Sequence, residues 1–320
     1  MIRKQIRWEM EPVAKIDIEK FKGVTIAMYA CYDKSGAIDP AAIRRLVRHY
    51  CETGVRGLYV GGSTGEGMLQ SVEERKQTLE AVMQEARQHE RQLSVIVHVG
   101  APSTRDSVEL AVHAESVGAD AVSAVPAIYY RLSPQSVERH WQAIIDSTSL
   151  PFIIYHIPQT TGFTLSKELL SRMAAQEKVI GVKISSESTF ELQQFKAAGG
   201  PDFLVFNGPD EQYLAGRSIG ADGGIGGTYG IMPELFLKIE RCFNEGRLVE
   251  AKEWQFRVNE IIVELLALPS LYGGCKAILN LRGFDIGEPR MPLLPIPESD
   301  MERVARLNDK IMSFIEQSGI

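Results

Sequence analysis

Lys183 lies in Val179-Ile180-Gly181-Val182-Lys183-Ile184, an apolar, β-branched run that reads as a strand buried on both faces. Taking an ammonium out of water is costly. A lysine in such a place either pairs with a buried carboxylate or sheds its proton and becomes a nucleophile. Tyr155 stands in a comparable run, Phe152–His156, and offers a phenol that can pass protons; its other reading is a core aromatic with a bonded hydroxyl. Gly61-Gly62-Ser63-Thr64-Gly65-Glu66-Gly67 sets two hydroxyls, Ser63 and Thr64, among glycines whose backbone N–H groups can converge on a carboxylate or phosphate. Such a turn also serves as a plain tight connection, and the second cluster, Gly223-Gly224-Ile225-Gly226-Gly227, could simply permit close strand packing. Asp210-Glu211 could accept hydrogen bonds from sugar hydroxyls or favour a helix start through its dipole.

The six histidines, His49, His89, His98, His113, His140 and His156, show no His-x-x-x-His or His-x-His spacing, so no metal site is expected. His156 follows Tyr155 and by parity faces outward.

These residues need elements to hold them. Eight short apolar runs recur with helical patterns between them: 24–28, 57–60, 94–99, 121–125, 152–156, 179–184, 203–207 and 223–226. Helix starts are marked at Asp39-Pro40, at the capping-box pattern Ser71 to Glu74, at Ser103 with Asp106, at Ser133-Pro134 and at Ser166. This alternation predicts a (β/α)8 TIM barrel over 23–245, its eighth helix at 233–244. An N-terminal extension precedes it at 1–22, and a helical segment follows at 246–320, packed on the barrel and ending in a helix over 299–315. An open doubly wound sheet is the competing fold, but no strict G-x-G-x-x-G follows a strand.

In a barrel, chemistry gathers at the C-terminal strand ends. Ser63, Thr64, Tyr129, Tyr130, Tyr155, Lys183, Gly208, Asp210 and Glu211 all fall there. Period-two alternation sends Lys183, Gly181 and Val179 inward and Ile180, Val182 and Ile184 toward the helices, with Tyr155 inward on the neighbouring strand. Gly181 is expected to leave room for the lysine stem and a small ligand.

Composition narrows the partners. At 320 residues, 44% hydrophobic and 24% charged, the chain can bury a large core. A net charge of −6 with dispersed basic residues argues against nucleic acid or an anionic membrane surface. Cys31, Cys51, Cys242 and Cys275 lie far apart, as expected of reduced, buried thiols rather than a disulfide framework. Neither a signal-peptide core nor a membrane-length apolar run is visible, which makes a cytoplasmic location the expectation.

Together, Gly-Gly-Ser-Thr-Gly-Glu at 61–66, Tyr155-x-x-Pro158 with Gly162, Gly181-Val182-Lys183 and Gly223-Gly224-Ile225-Gly226 resemble the dihydrodipicolinate synthase / N-acetylneuraminate lyase family, in order, from about Val24 to Leu281. The resemblance implies a barrel with a C-terminal helical extension, usually a homotetramer, using Schiff-base chemistry on pyruvate with no metal or organic cofactor. It implies that Lys183 forms the imine, Tyr155 relays protons, and Ser63 with Thr64 clasps the carboxylate. It further implies substrate contacts at Gly208, Asp210, Glu211, Ile225 and one of Tyr129 and Tyr130. Thr160 occupies the position of the synthase arginine in Tyr-x-x-Pro-x-Arg-Thr-Gly, while Asn207-Gly208-Pro209-Asp210-Glu211 resembles the lyase branch. The family's usual asparagine after the tyrosine is His156, and the lyase serine of the last glycine cluster is Gly227. The expected partners are therefore pyruvate and an aldehyde, or the 2-oxo sugar acid that yields them. Synthase-like condensation, dehydration of a 2-oxo-3-deoxy sugar acid and a non-catalytic metabolite-binding barrel are the alternatives.

Overall fold

The structure, a computed structural model, describes residues 16–89 and 93–320. Residues 1–15 of the expected N-terminal extension lie outside this range. Eight parallel strands, β1 (Gly23–Ala27), β2 (Gly57–Val60), β3 (Ser94–His98), β4 (Ala121–Ala124), β5 (Phe152–His156), β6 (Val179–Ile184), β7 (Leu204–Asn207) and β8 (Gly223–Gly226), run in sequence order round a closed barrel. They coincide with the eight expected runs to within a residue at each end. Every strand residue is buried, as short β-branched runs require when helices cover one face and side chains fill the other. Closure pairs Gly23 with Gly223, where a Cβ on Gly223 would stand 2.6 Å from the Gly23 nitrogen. The last glycine cluster thus permits strand contact.

The outer ring comprises α1 (Pro40–Thr53), α2 (Val72–Ala86), α3 (Thr104–Ser116), α4 (Pro134–Asp146), the single turn α5 (Pro158–Thr161), α6 (Lys167–Ala174), α7 (Thr189–Gly199), α8 (Tyr213–Ser218) and α9 (Pro233–Asn244). The expected caps are made. Asp39 accepts from the N–H groups of Ala41 and Ala42, and Ser71 and Glu74 close a capping box. Ser103, Ser133 and Ser166 each accept from the N–H three residues on, interactions worth about 1 kcal/mol apiece. Beyond the ring come α10 (Leu248–Leu266), α11 (Leu271–Leu281) and α12 (Met301–Ser318). The final helix starts later than the expected 299–315, because Glu298–Asp300 form a tight 3-10 turn ahead of it, and it runs on to Ser318. Buried Val258, Ile278 and Leu307 join these helices to the core beneath α1 and α9. Among the described residues no single helix is long and apolar enough to cross a membrane; α10 and α11 qualify only together, across a 109° bend.

Two sequence expectations are corrected inside the barrel. Phe152 pairs with Val179 but Ile153 with Gly181, so Ile180 is an extra residue in β6. This bulge resets the alternation. Val179 joins the outer core and Ile180 the inner one, the reverse of the expected parity, whereas Gly181 and Lys183 remain inward. The space beside Gly181 belongs to β7: a Cβ there would lie 2.6 Å from the Leu204 carbonyl oxygen and 2.8 Å from its Cβ. Gly181 lets two strands meet and leaves no room for a ligand. At the barrel's other end Phe21, Ile96, Ile153, Ile180 and Leu204 share the inner core, with Ile16 and Ile18 packed against it.

Candidate active site

β5 and β6 place Tyr155 and Lys183 as direct register partners. The amine is 5% exposed, and its Nζ lies 3.8 Å from the centroid of the Tyr155 ring and 4.9 Å from that of Tyr59. Among the described residues no carboxylate forms an ion pair with it, so the buried-pair reading of the lysine does not hold. Burial pushes the Tyr155 phenol up. The Lys183 charge, with side-chain hydrogen bonding to Lys183, Ser63 and Ser185, outweighs burial and holds the phenol below its ordinary 10.0.

The aromatic floor is braced from β2, β3 and β4. Tyr59 packs edge-on to Tyr155, centroids 5.8 Å apart, and donates its hydroxyl to Ser123 at 3.0 Å. His98 also stands edge-on to Tyr155 at 5.8 Å. Its Nδ1 lies 3.0 Å from the Gly61 carbonyl and its Nε2 accepts from the Val125 N–H at 3.3 Å, which assigns a neutral ring with the proton on Nδ1. Burial, and then the Arg75 charge, keep this imidazole well below 6.5. Arg75 reaches in from α2 to donate to the carbonyls of His98 and Gly100, at 2.5 and 2.9 Å. Burial brings its guanidinium down to about 10.

Above the floor opens a cavity of about 230 Å³, lined by Ser63, Glu66, His98, Tyr155, Thr160 and Tyr272 among others. Its lining is mostly apolar with few polar groups, the usual constitution of a small-molecule site. A larger cleft of about 820 Å³ borders Tyr32, Arg45, Asp285 and Arg290. Size does not decide between them: the larger cleft has neither Tyr155 nor Ser63, which both line the smaller one, and its arginines are bonded to backbone carbonyls and Glu74.

The remaining expected residues divide. Ser63 faces the cavity, with Thr64 buried behind it. Gly208 presses β7 against β6, where a Cβ would run into Ser185 Oγ and the Ile184 carbonyl. Ile225 belongs to the inner core. Asp210 turns its carboxylate to Thr228, accepting from the backbone N–H and the hydroxyl at 2.6 Å each. Burial raises it to about 6 in spite of those bonds. Glu211 is exposed, and its carbonyl accepts from Asn259 at 3.1 Å. Tyr129 and Tyr130 do not reach the cavity; φ is +84° at Tyr129 and the pair is 90% and 73% exposed, the rings packed edge to face. His156 points out of the barrel as expected, toward Glu191 and Phe195.

Sequence reasoning missed Ser185, His98, Tyr59 and Tyr272. The alternation that placed Lys183 inward also places Ser185, two residues on, and would have found it. No comparable signal marks Tyr272, which α11 delivers from the C-terminal segment.

A closed parallel barrel with a buried lysine and phenol at the C-terminal strand ends defines an enzyme of the aldolase type, a carbon–carbon lyase. The chain belongs to the Dihydrodipicolinate synthetase family, which it matches over residues 20–310. It is 46% identical over 293 residues to an N-acetylneuraminate lyase of Mediterraneibacter gnavus, covering 90% of this chain and 91% of that one. A Ruminococcus gnavus sialic acid aldolase solved as a catalytic lysine mutant superposes with a TM-score of 0.92 at 43% identity, covering 95% and 99%. A dihydrodipicolinate synthase of Bacillus anthracis superposes at 0.85 with 26% identity, covering 90% and 98%.

Proposed function

We propose that this enzyme cleaves N-acetylneuraminate, or a closely similar 4-hydroxy-2-oxo sugar acid, to pyruvate and an aldehyde sugar through a Schiff base on Lys183. The unprotonated amine adds to the C2 carbonyl, the Tyr155 hydroxyl gives its proton to the departing oxygen, and water leaves, giving an iminium and a phenolate. The Tyr155 phenolate takes the proton from the 4-hydroxyl as the C3–C4 bond breaks. The bond's electrons pass to the iminium as an enamine, and the aldehyde departs. The enamine takes that proton from Tyr155 at C3, and water hydrolyses the resulting iminium to free pyruvate and the amine. Ser63 and Thr64 hold the substrate carboxylate in register for these steps, and the exposed Glu211 after β7 is the residue assigned to the sugar's hydroxyls. The lysine itself supplies the electron sink, so the reaction needs neither metal nor organic cofactor.

The observation that carries this reading is the buried Lys183 amine resting on Tyr155, whose ring lines a cavity with Thr160 and Thr161 in its wall. A hydroxyl wall suits a polyhydroxylated chain, whereas the synthase position would bring a guanidinium for a second carboxylate. The likeness to N-acetylneuraminate lyases supports the same choice. Pyruvate release from N-acetylneuraminate tests it. Absence of release, together with consumption of pyruvate and aspartate semialdehyde, would restore the condensing reading; dehydration without pyruvate would indicate the dehydratase.

A cytoplasmic homotetramer completes the proposal. The buried cysteines Cys31, Cys242 and Cys275 are free thiols, which suits a reducing compartment. Val249, Phe256 and Val263 lie seven residues apart on α10 and are 69%, 60% and 66% exposed, a stripe suited to an apolar partner helix. About a two-fold axis through Phe256, Val249 meets Val263 and Lys252 meets Glu260 of an antiparallel copy. Exposed Tyr129 and Tyr130 form another apolar patch.

A further inference from the structure

A second buried lysine, Lys276 on α11, takes no part in the chemistry above. Its side chain is 1% exposed, and its Nζ donates to Glu66 Oε1 at 3.0 Å and to the Glu288 carbonyl at 2.8 Å. Glu66 is the residue that ends the Ser63–Thr64 turn. It sits at φ +52°, a region that residues with a Cβ occupy only when their surroundings hold them there. Its other oxygen accepts from the Arg290 N–H at 2.8 Å, so both carboxylate oxygens are held by the C-terminal segment.

The turn has little freedom once Glu66 is placed. The Glu66 N–H donates to the Ser63 carbonyl at 3.0 Å, and the Gly67 N–H to that of Gly62 at 3.1 Å. Gln70 donates to the Gly65 carbonyl and to the Tyr32 hydroxyl, 3.1 Å each. The Tyr32 ring in turn is contacted by two cations of the segment, Lys276 at 4.6 Å and Arg290 at 4.5 Å from its centroid. Tyr272 lies one turn before Lys276 on α11, so residues four apart on one helix reach the cavity wall and the hydroxyl turn. An ion pair buried this deeply is a poor source of stability, because desolvation offsets much of its attraction; what it contributes is direction.

We infer that Lys276 and Glu66 are a positioning pair, through which the C-terminal helical segment sets the Ser63–Thr64 hydroxyls for the substrate carboxylate. The inference rests on the proposed role of those hydroxyls. Lys276 acts through Glu66, and the quantity it governs is affinity for the 2-oxo acid rather than the rate of bond cleavage.

The test measures pyruvate half-saturation of borohydride trapping alongside kcat and thermal unfolding, in the full chain. Lys276→Met is expected to raise the half-saturation about ten-fold, as loss of one charge-assisted hydrogen bond would, and to lower kcat by less than about three-fold. Lys276→Arg restores most of the affinity. The double variant Glu66→Gln with Lys276→Met has no uncompensated buried charge; it regains thermal stability but keeps the weak half-saturation, and it is read in place of Lys276→Met should that variant not fold. Half-saturation within about two-fold of the parent in the folded double variant, or kcat and affinity falling in parallel with the folded fraction, overturns the inference. Thr64→Val separates the two levels: unchanged affinity in this variant removes the hydroxyl clasp and the inference with it, whereas weakened affinity there and not in the lysine variants removes the positioning pair alone.

Discussion

Lys183 and Tyr155 face each other from adjacent parallel strands, the amine resting 3.8 Å from the centre of the phenol ring and 5% exposed. The ammonium holds the phenol below its ordinary value, and the phenolate is placed to receive the proton the amine must lose. Tyr155→Phe keeps the ring and removes the relay. Steady-state kinetics should show kcat falling by about 10²–10⁴-fold, the usual range for a lost general acid–base group, with KM little changed.

Thr160 stands in the cavity wall where the synthase motif has an arginine. Thr160→Arg should place an unneeded cation and extra volume in a cavity of about 230 Å³. The expected outcome is a loss of at least about ten-fold in kcat/KM for N-acetylneuraminate, with pyruvate trapping by borohydride retained. Loss of trapping as well would mean that Thr160 reaches the carboxylate end of the site.

Much of this was legible in the sequence because buried parallel strands are short, apolar and punctuated by caps, and because Lys183 and Ser63 lie at strand ends that the pattern located. The direction of Lys183 was read correctly although the strand below it was not. A one-residue bulge at Ile180 has no hydrophobic signature when every residue around it is apolar. Nor does spacing show that Gly181 serves Leu204, or that Asp210 is engaged by Thr228. Tyr272, Lys276 and Glu66 meet only through tertiary packing across some two hundred residues, beyond the reach of any local period.

Asp210 gives a pH signature. Unfolded it ionises near 3.8 and folded near about 6, so between these values the native state holds the extra proton. Its contribution to stability is therefore present below 3.8 and is lost as pH rises through 6. At about 1.4 kcal/mol per unit the loss is roughly 3 kcal/mol. Asp210→Asn leaves an oxygen for the Thr228 donors and removes the titration. In urea unfolding it should match the parent near pH 4 and exceed it in stability at pH 7; a constant difference across that range would contradict the assignment.

The α10 stripe makes the assembly testable. Phe256→Glu on the proposed two-fold axis puts two like charges face to face in a tetramer and nothing unfavourable in a monomer. Sedimentation should report a smaller species with an unchanged thermal transition of the chain itself, whereas an unaltered mass would place the interface elsewhere.

The central claim, covalent catalysis by one buried amine, is tested most directly by reducing the protein with borohydride in the presence of pyruvate and locating the adduct by peptide mass spectrometry. A single reduced pyruvyl group on Lys183, absent from Lys183→Met, is the predicted result. An unmodified Lys183 in correctly folded protein, or an adduct on another lysine, would contradict it.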